Sequence, residues 1–93
     1  MWTILEHRRV GKRLGRLPVE ILKRYEKWKD VVTFSGPEGL RLIKGFHDEP
    51  LEGAWRGHRS SRLSRQHRVI YRVFSREVLV EVIDVTAHDD RAR

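Results

Sequence analysis

Ile21, Tyr25, Trp28 and Val32 recur at alternating helical steps, so one apolar stripe runs down a helix predicted over about 18–34. Glu20, Lys23, Arg24, Lys27 and Lys29 cover its other side. Pro18 suits the first turn of that helix, where a missing N–H costs nothing. The tyrosine and tryptophan of the stripe read as core. Upstream, Val10, Leu14 and Leu17 keep the same spacing among Arg8, Arg9, Lys12, Arg13 and Arg16, which predicts an earlier helix beginning at His7. Gly11 and Gly15 each weaken it by about 1 kcal/mol relative to alanine. The two helices meet at Leu17-Pro18 as a hairpin, and Trp2 to Glu6 reads as a short strand before them.

After the break at Ser35-Gly36-Pro37, Glu38 to Ile43 predicts one more helical turn, and Lys44 to Gly53 has the composition of a loop. The spacing then shortens. Trp55 to Ser64 alternates loosely as a strand, Arg65-Gln66-His67 is a turn, and Val69 to Phe74 alternates in a segment rich in β-formers. A second turn at Ser75-Arg76-Glu77 leads into Val78 to Val85, almost continuously apolar and so placed centrally in the sheet. The expected order is β-α-α-β-β-β. This is an α+β fold in which an N-terminal strand and helical hairpin pack on one face of an antiparallel sheet.

Ninety-three residues, 39% hydrophobic and 35% charged, make a single domain, 1–93, with a modest core and a heavily solvated surface. The longest apolar runs are about five residues, too short to span a membrane. Met1 to Leu5 is too short for an apolar targeting core, so a cytoplasmic chain is expected. The absence of cysteine excludes disulfides, thiolate catalysis and cysteine-ligated zinc. His47, His58 and His67 fit no standard metal-ligand spacing, and no metal or other cofactor is expected.

Net charge changes the picture. At +7, so small a domain favours polyanionic partners through counterion release and long-range steering. Every lysine lies at or before Lys44, and the second half uses only arginine, whose planar fork of donors suits phosphate. Arg56, Arg59, Arg62, Arg65 and Arg68 fall at every third position, with Arg72 following and Trp55, His58 and His67 among them. The other polar cluster is Thr86-Ala87-His88-Asp89-Asp90-Arg91. In an antiparallel meander the end of the last strand comes beside the strand that follows the turn at 65–67, bringing His88 near Arg68 or near the end of the preceding strand according to register. Glu49-Pro50 leads into the first strand of the same meander.

A carboxylate, an arginine and a histidine in a basic concavity can cleave RNA without metal. A base takes the 2′-OH proton, a cation stabilises the pentacoordinate phosphorane, and an acid protonates the departing 5′ oxygen. Histidine titrates near neutral pH and suits the acid; arginine holds charge but does not readily give up a proton. DNA lacks the 2′-OH, so this chemistry selects RNA. Each residue also has a plainer use. Glu49 can pair with an arginine in a surface loop, Arg68 with Asp84, and His88 can be an exposed tail residue.

Gly53-Ala54-Trp55, Arg59-Ser60-Ser61-Arg62-Leu63, Gln66-His67-Arg68-Val69-Ile70-Tyr71 and Thr86-Ala87-His88-Asp89 resemble the RelE/ParE toxin superfamily of type II toxin–antitoxin systems, in particular its RNA-cleaving RelE/YoeB-like branch. The specific part of the resemblance spans about 44–90. It implies a RelE-like fold and a ribosome-dependent mRNA endonuclease working in the ribosomal A site, neutralised by a cognate antitoxin protein. Residue by residue it implies Glu49 as general base, Arg68 as transition-state stabiliser and His88 as general acid. RNA contacts are then expected from Arg62 and from Lys44, Trp55, Arg59, Arg65 and His67. One departure stands out: where the family carries a tyrosine directly after the histidine or one residue later, this chain has Asp89 and Asp90. Trp55, His58 and Tyr71 are the candidates to replace its stacking. Two other readings remain open at this point: a ParE-like toxin that binds DNA gyrase, and a catalytically inactive RNA- or ribosome-binding module.

Overall fold

A computed structural model describes residues 1–87. The chain runs as β1 (Thr3–Glu6), α1 (Arg8–Leu14), α2 (Val19–Ser35), α3 (Pro37–Arg41), β2 (Glu49–Pro50), β3 (Arg59–Arg62), β4 (His67–Phe74) and β5 (Leu79–Ala87), with short 3-10 turns at Lys44–Phe46, Gly53–Trp55 and Ser75–Glu77. The strands form one five-stranded sheet in the order β1-β5-β4-β3-β2.

The second helix is where its periodicity placed it, and Ile21, Tyr25, Trp28 and Val32 are all buried. They pack against Val69, Tyr71, Val80 and Val82 of the sheet. Trp28 lies between two tyrosine rings, stacked on Tyr25 with centroids 5.8 Å apart and edge-on to Tyr71 at 5.4 Å. The first helix is shorter than its pattern suggested. It ends at Leu14 with Gly15 as cap, and Leu17 lies beyond it, still packed against the core. Gly36 closes α2 at φ +76°, and a Cβ there would meet Trp2 Nε1 at 2.6 Å, so only glycine lets the chain turn under the N-terminal tryptophan. Pro37 then opens α3 at a position needing no N–H.

Four features depart from the expected sheet. First, β2, β3, β4 and β5 are antiparallel, but β1 joins β5 in parallel, pairing Thr3 with Leu79 through Glu6 with Val82. The intervening helices supply the long crossover that a parallel pair requires. Second, Glu49–Pro50 forms an edge strand inside the segment read as a loop. Third, the strand expected from Trp55 is confined to Arg59–Arg62, because Gly53 (φ +66°) and Gly57 (φ +92°) hold the chain in turns around Trp55. Fourth, the β3–β4 turn ends one residue early, with His67 already paired to Ala87. Ser64 holds that turn: its Oγ accepts the amides of Gln66 and His67, each at 3.1 Å.

Pairing shifts between Ile70 (with Asp84) and Tyr71 (with Val82), which leaves Ile83 as the extra residue of a β-bulge. The bulge lets both Val82 and Val85 be buried although their spacing in a regular strand would put them on opposite faces. No described helix is long and apolar enough to cross a membrane.

Candidate active site on the open sheet face

Alternation along β4 divides its side chains between two faces. Val69, Tyr71 and Val73 pack toward the helices, so Arg68, Ile70 and Arg72 point to the opposite face. Cross-strand pairing carries that division through the sheet. Glu49, Ser60 and Ile70 form one lateral row of that face, Glu49 exposed at its edge and Ser60 and Ile70 buried, and Asp84 pairs with Ile70 at its far end. Arg62, Arg68 and Thr86 form the next row, two residues further along each strand. The sheet thus collects the carboxylate and both arginines of the expected site on a single surface. His88, together with the Asp89 and Asp90 that replace the family tyrosine, lies outside the described residues.

The regularly spaced arginines have different surroundings. Arg59, expected as an RNA contact, belongs to the helix-side face and is tied to Asp48: its Nε and Nη2 donate to Asp48 Oδ2 at 3.0 and 2.8 Å. Burial opposes its charge, but the hydrogen bond and charge of Asp48 outweigh that and raise its pKa above the ordinary guanidinium value. Its role here is internal, because a strand residue whose side chain joins a buried ion pair cannot also serve the opposite face. Arg72 has Glu81 as its cross-strand neighbour and lies over the Phe74 ring, 4.9 Å from the centroid. Arg65 is exposed in the β3–β4 turn, and Arg56 is exposed after the 3-10 turn at Gly53–Trp55. Arg62 and Arg68 are direct cross-strand partners, both half-buried, and among the described residues neither has a carboxylate within ion-pair distance. Like charges placed opposite one another weaken a sheet; an anion bound between them removes the repulsion. Asp84, the other conceivable partner for Arg68, is engaged by Arg13 Nε of α1 at 3.2 Å.

Glu49 is exposed on the edge strand. Lys44 is exposed in a 3-10 turn. His67 is half-buried at the start of β4, its Nδ1 2.9 Å from Ser64 Oγ. Because that hydroxyl oxygen already accepts two amides, its proton is free to donate to Nδ1, which assigns the neutral ring's proton to Nε2. Trp55 is 38% exposed, with the His58 ring edge-on to it at 5.1 Å, and His58 Nδ1 donates to the Trp55 carbonyl at 3.2 Å. Tyr71 is wholly buried, so of the three candidates for stacking only Trp55 and His58 can reach a base.

The residue that sequence reasoning missed is Asp48. Its side chain is completely buried, and besides Arg59 it accepts hydrogen bonds from the hydroxyls of Ser61 (2.7 Å) and Tyr71. An acid between His47 and Glu49 in a polar segment carries no periodic signal; only the pairing of β3 with β4 brings its three partners together.

Both tyrosines of the chain are buried, and each donates to a carboxylate, Tyr71 to Asp48 and Tyr25 to Glu6 Oε2 at 2.5 Å. Burial first, then the neighbouring carboxylate, pushes both phenol pKa values well above normal. Because the folded values exceed the unfolded one of about 10, their stabilisation is full below about pH 10 and is lost as pH rises beyond it. Alkaline titration of the native chain is expected to show no tyrosinate absorbance near pH 10, with both phenols ionising together as the fold is lost. A tyrosine titrating with an ordinary midpoint in the folded state contradicts this arrangement.

No family model matches the chain. No curated protein matches it either. Among solved structures it is similar to an archaeal RelE in complex with RelB from Pyrococcus horikoshii, with TM-score 0.76 and 22% identity over 96% of this chain and 97% of that one. It is also similar to a chain of a YoeB–YefM toxin–antitoxin complex from Staphylococcus aureus, with TM-score 0.72 and 15% identity over 96% and 99%. A third is a YoeB/ParE toxin from Agrobacterium tumefaciens, with TM-score 0.74 and 19% identity over 94% and 99%. At these identities the shared feature is the fold. The chain has the fold of the RelE-like toxins.

Proposed function

We propose that this chain is the toxin of a type II toxin–antitoxin pair and a ribosome-dependent mRNA endonuclease. The observation that carries the reading is the open sheet face, where Glu49 lies one row from the paired Arg62 and Arg68. Two interstrand spacings and one two-residue step separate Glu49 from Arg68, roughly 12 Å between Cα atoms. At that separation two extended side chains flank a single phosphodiester.

Glu49 takes the proton from a ribose 2′-OH, and the 2′ oxygen attacks the adjacent phosphorus. Arg68, with Arg62 beside it, stabilises the charge on the phosphorane. The bond to the 5′ oxygen breaks, and His88, two residues after Thr86 in the sequence, supplies the proton to the leaving group. The products are a 2′,3′-cyclic phosphate and a 5′-hydroxyl. Side chains supply base, cation and acid, so no step calls for a metal. A substrate held and presented by the ribosome needs no deep pocket of the enzyme's own. Lys44, Arg65, His67 and Trp55 add field, docking and a stacking surface around it. An acidic antitoxin segment covering this face neutralises the enzyme, and the site of action is the cytoplasm, where ribosomes translate.

Purified chain added to translating ribosomes is expected to yield codon-phased mRNA cuts ending in cyclic phosphate. A message with a single 2′-deoxy substitution at the cut position is expected to resist cleavage there, since the nucleophile is gone. Products ending in 3′-hydroxyl and 5′-phosphate would contradict the mechanism. Intact mRNA together with gyrase-dependent DNA breaks would replace the reading with that of a gyrase-binding toxin.

A further inference from the structure

Glu49 stands on a strand too slight to aim it. β2 is two residues long at the edge of the sheet, and one of them, Pro50, has no N–H to give the ladder. Beyond the Glu49–Ser60 and Pro50–Arg59 pairing, the next backbone tie is Leu51 N–H to the His58 carbonyl at 2.9 Å. So short an edge would fray without another anchor.

The residue before it supplies one. Asp48 turns its fully buried carboxylate to the helix side, where Oδ2 accepts from Arg59 and Oδ1 from Ser61 and Tyr71. Arg59 and Ser61 belong to β3 and Tyr71 to β4, so one side chain bolts the edge to two inner strands. Successive residues of extended chain point to opposite faces. With Asp48 locked inward, Glu49 is held outward over the row that leads to Arg62 and Arg68. We propose that Asp48 is a positioning residue for Glu49: its buried ion pair and hydrogen bonds set the place of the base, and Arg59 serves that anchor instead of binding RNA. The inference rests on the reading of Glu49 as the general base.

The test has two arms. In amide exchange, Asp48→Asn is expected to speed exchange of the Leu51 N–H at least about tenfold, while the amides of Trp28 and Val82 keep their protection. In ribosomal cleavage, the same variant is expected to lower kcat by about tenfold to a hundredfold with KM unchanged, since a misplaced base slows chemistry but not docking. Placed in a Glu49→Gln background, it is expected to cause no further loss, because it acts through that residue. An equal further loss in that background, or a parental kcat in Asp48→Asn, overturns the proposal. If the loss of charge beside Arg59 prevents folding, Tyr71→Phe decides instead. It removes one donor to Asp48 and keeps the ring in the core, and unchanged Leu51 exchange and kcat overturn the proposal. Should Glu49→Gln cleave like the parent, the assignment of the base fails; the exchange arm still reports separately whether Asp48 pins the strand.

Discussion

Glu49→Gln is expected to lower the rate of codon-phased mRNA cleavage by about 10²–10⁴ while the fold and thermal midpoint stay as they are. The substitution keeps the side chain's size and its hydrogen-bonding oxygen but removes the ability to accept a proton. Glu49 is exposed on the edge strand and is in none of the ion pairs among the described residues, so stability should change by no more than about 0.5 kcal/mol. On the proposed mechanism the loss falls in kcat, because Glu49 acts in the chemical step and the basic residues are assigned the docking. Rate constants measured under single-turnover conditions with ribosome in excess check this directly. A variant that cleaves at the parental rate removes Glu49 from the mechanism, whatever the fold.

Trp28→Ala is expected to have the largest effect on stability, about 3–5 kcal/mol. Trp28 is fully buried between Tyr25, Tyr71 and the valines of β4 and β5, so its removal leaves a large apolar void in the core. In a domain whose whole stability is of order 5–15 kcal/mol, such a loss moves the thermal midpoint by on the order of 20 °C. Trp28→Phe should cost much less. It keeps an aromatic plane in the same place and deletes a buried Nε1 that has no hydrogen-bond partner among the described residues. Chemical denaturation of the two variants side by side distinguishes them. An alanine variant within about 1 kcal/mol of the parent is incompatible with this packing.

Much of the architecture is legible in the spacing of apolar residues. The α2 stripe is readable because four large side chains at helical intervals have one way to be buried together. β4 is readable for the equivalent reason at period two. β5 is readable only as apolar, since its bulge breaks the alternation that would have shown which residues face the helices. The edge strand β2 escapes such reading altogether. Two residues, one of them proline, carry neither a period nor a propensity, and their pairing exists because β3 offers them an edge.

The candidate site divides along the same line. Glu49, Arg62 and Arg68 can be named from local motifs, since the residue types that handle a phosphodiester are few and their order resembles that of RelE-like toxins. Their common face cannot, because it depends on the registers Glu49–Ser60 and Arg62–Arg68. The spacing of three in the arginine series likewise conceals its division. Arg59 and Arg62 lie an odd number of residues apart in one strand and therefore point to opposite faces, one to a buried aspartate and one to the row it shares with Arg68.

By itself, then, the sequence determined the core stripe, the order of the helices and of every strand but the edge strand β2, the strong positive charge and the identity of the chemically able residues. All of these follow from composition and from periods within a single element. The parallel docking of β1 on β5, the bulge at Ile83, the burial of Asp48 and the gathering of Glu49 with the Arg62–Arg68 pair were decided by the tertiary structure alone. Each depends on a pairing between segments distant in the chain, and the free energy that selects such a pairing comes from burial that no single segment can achieve alone.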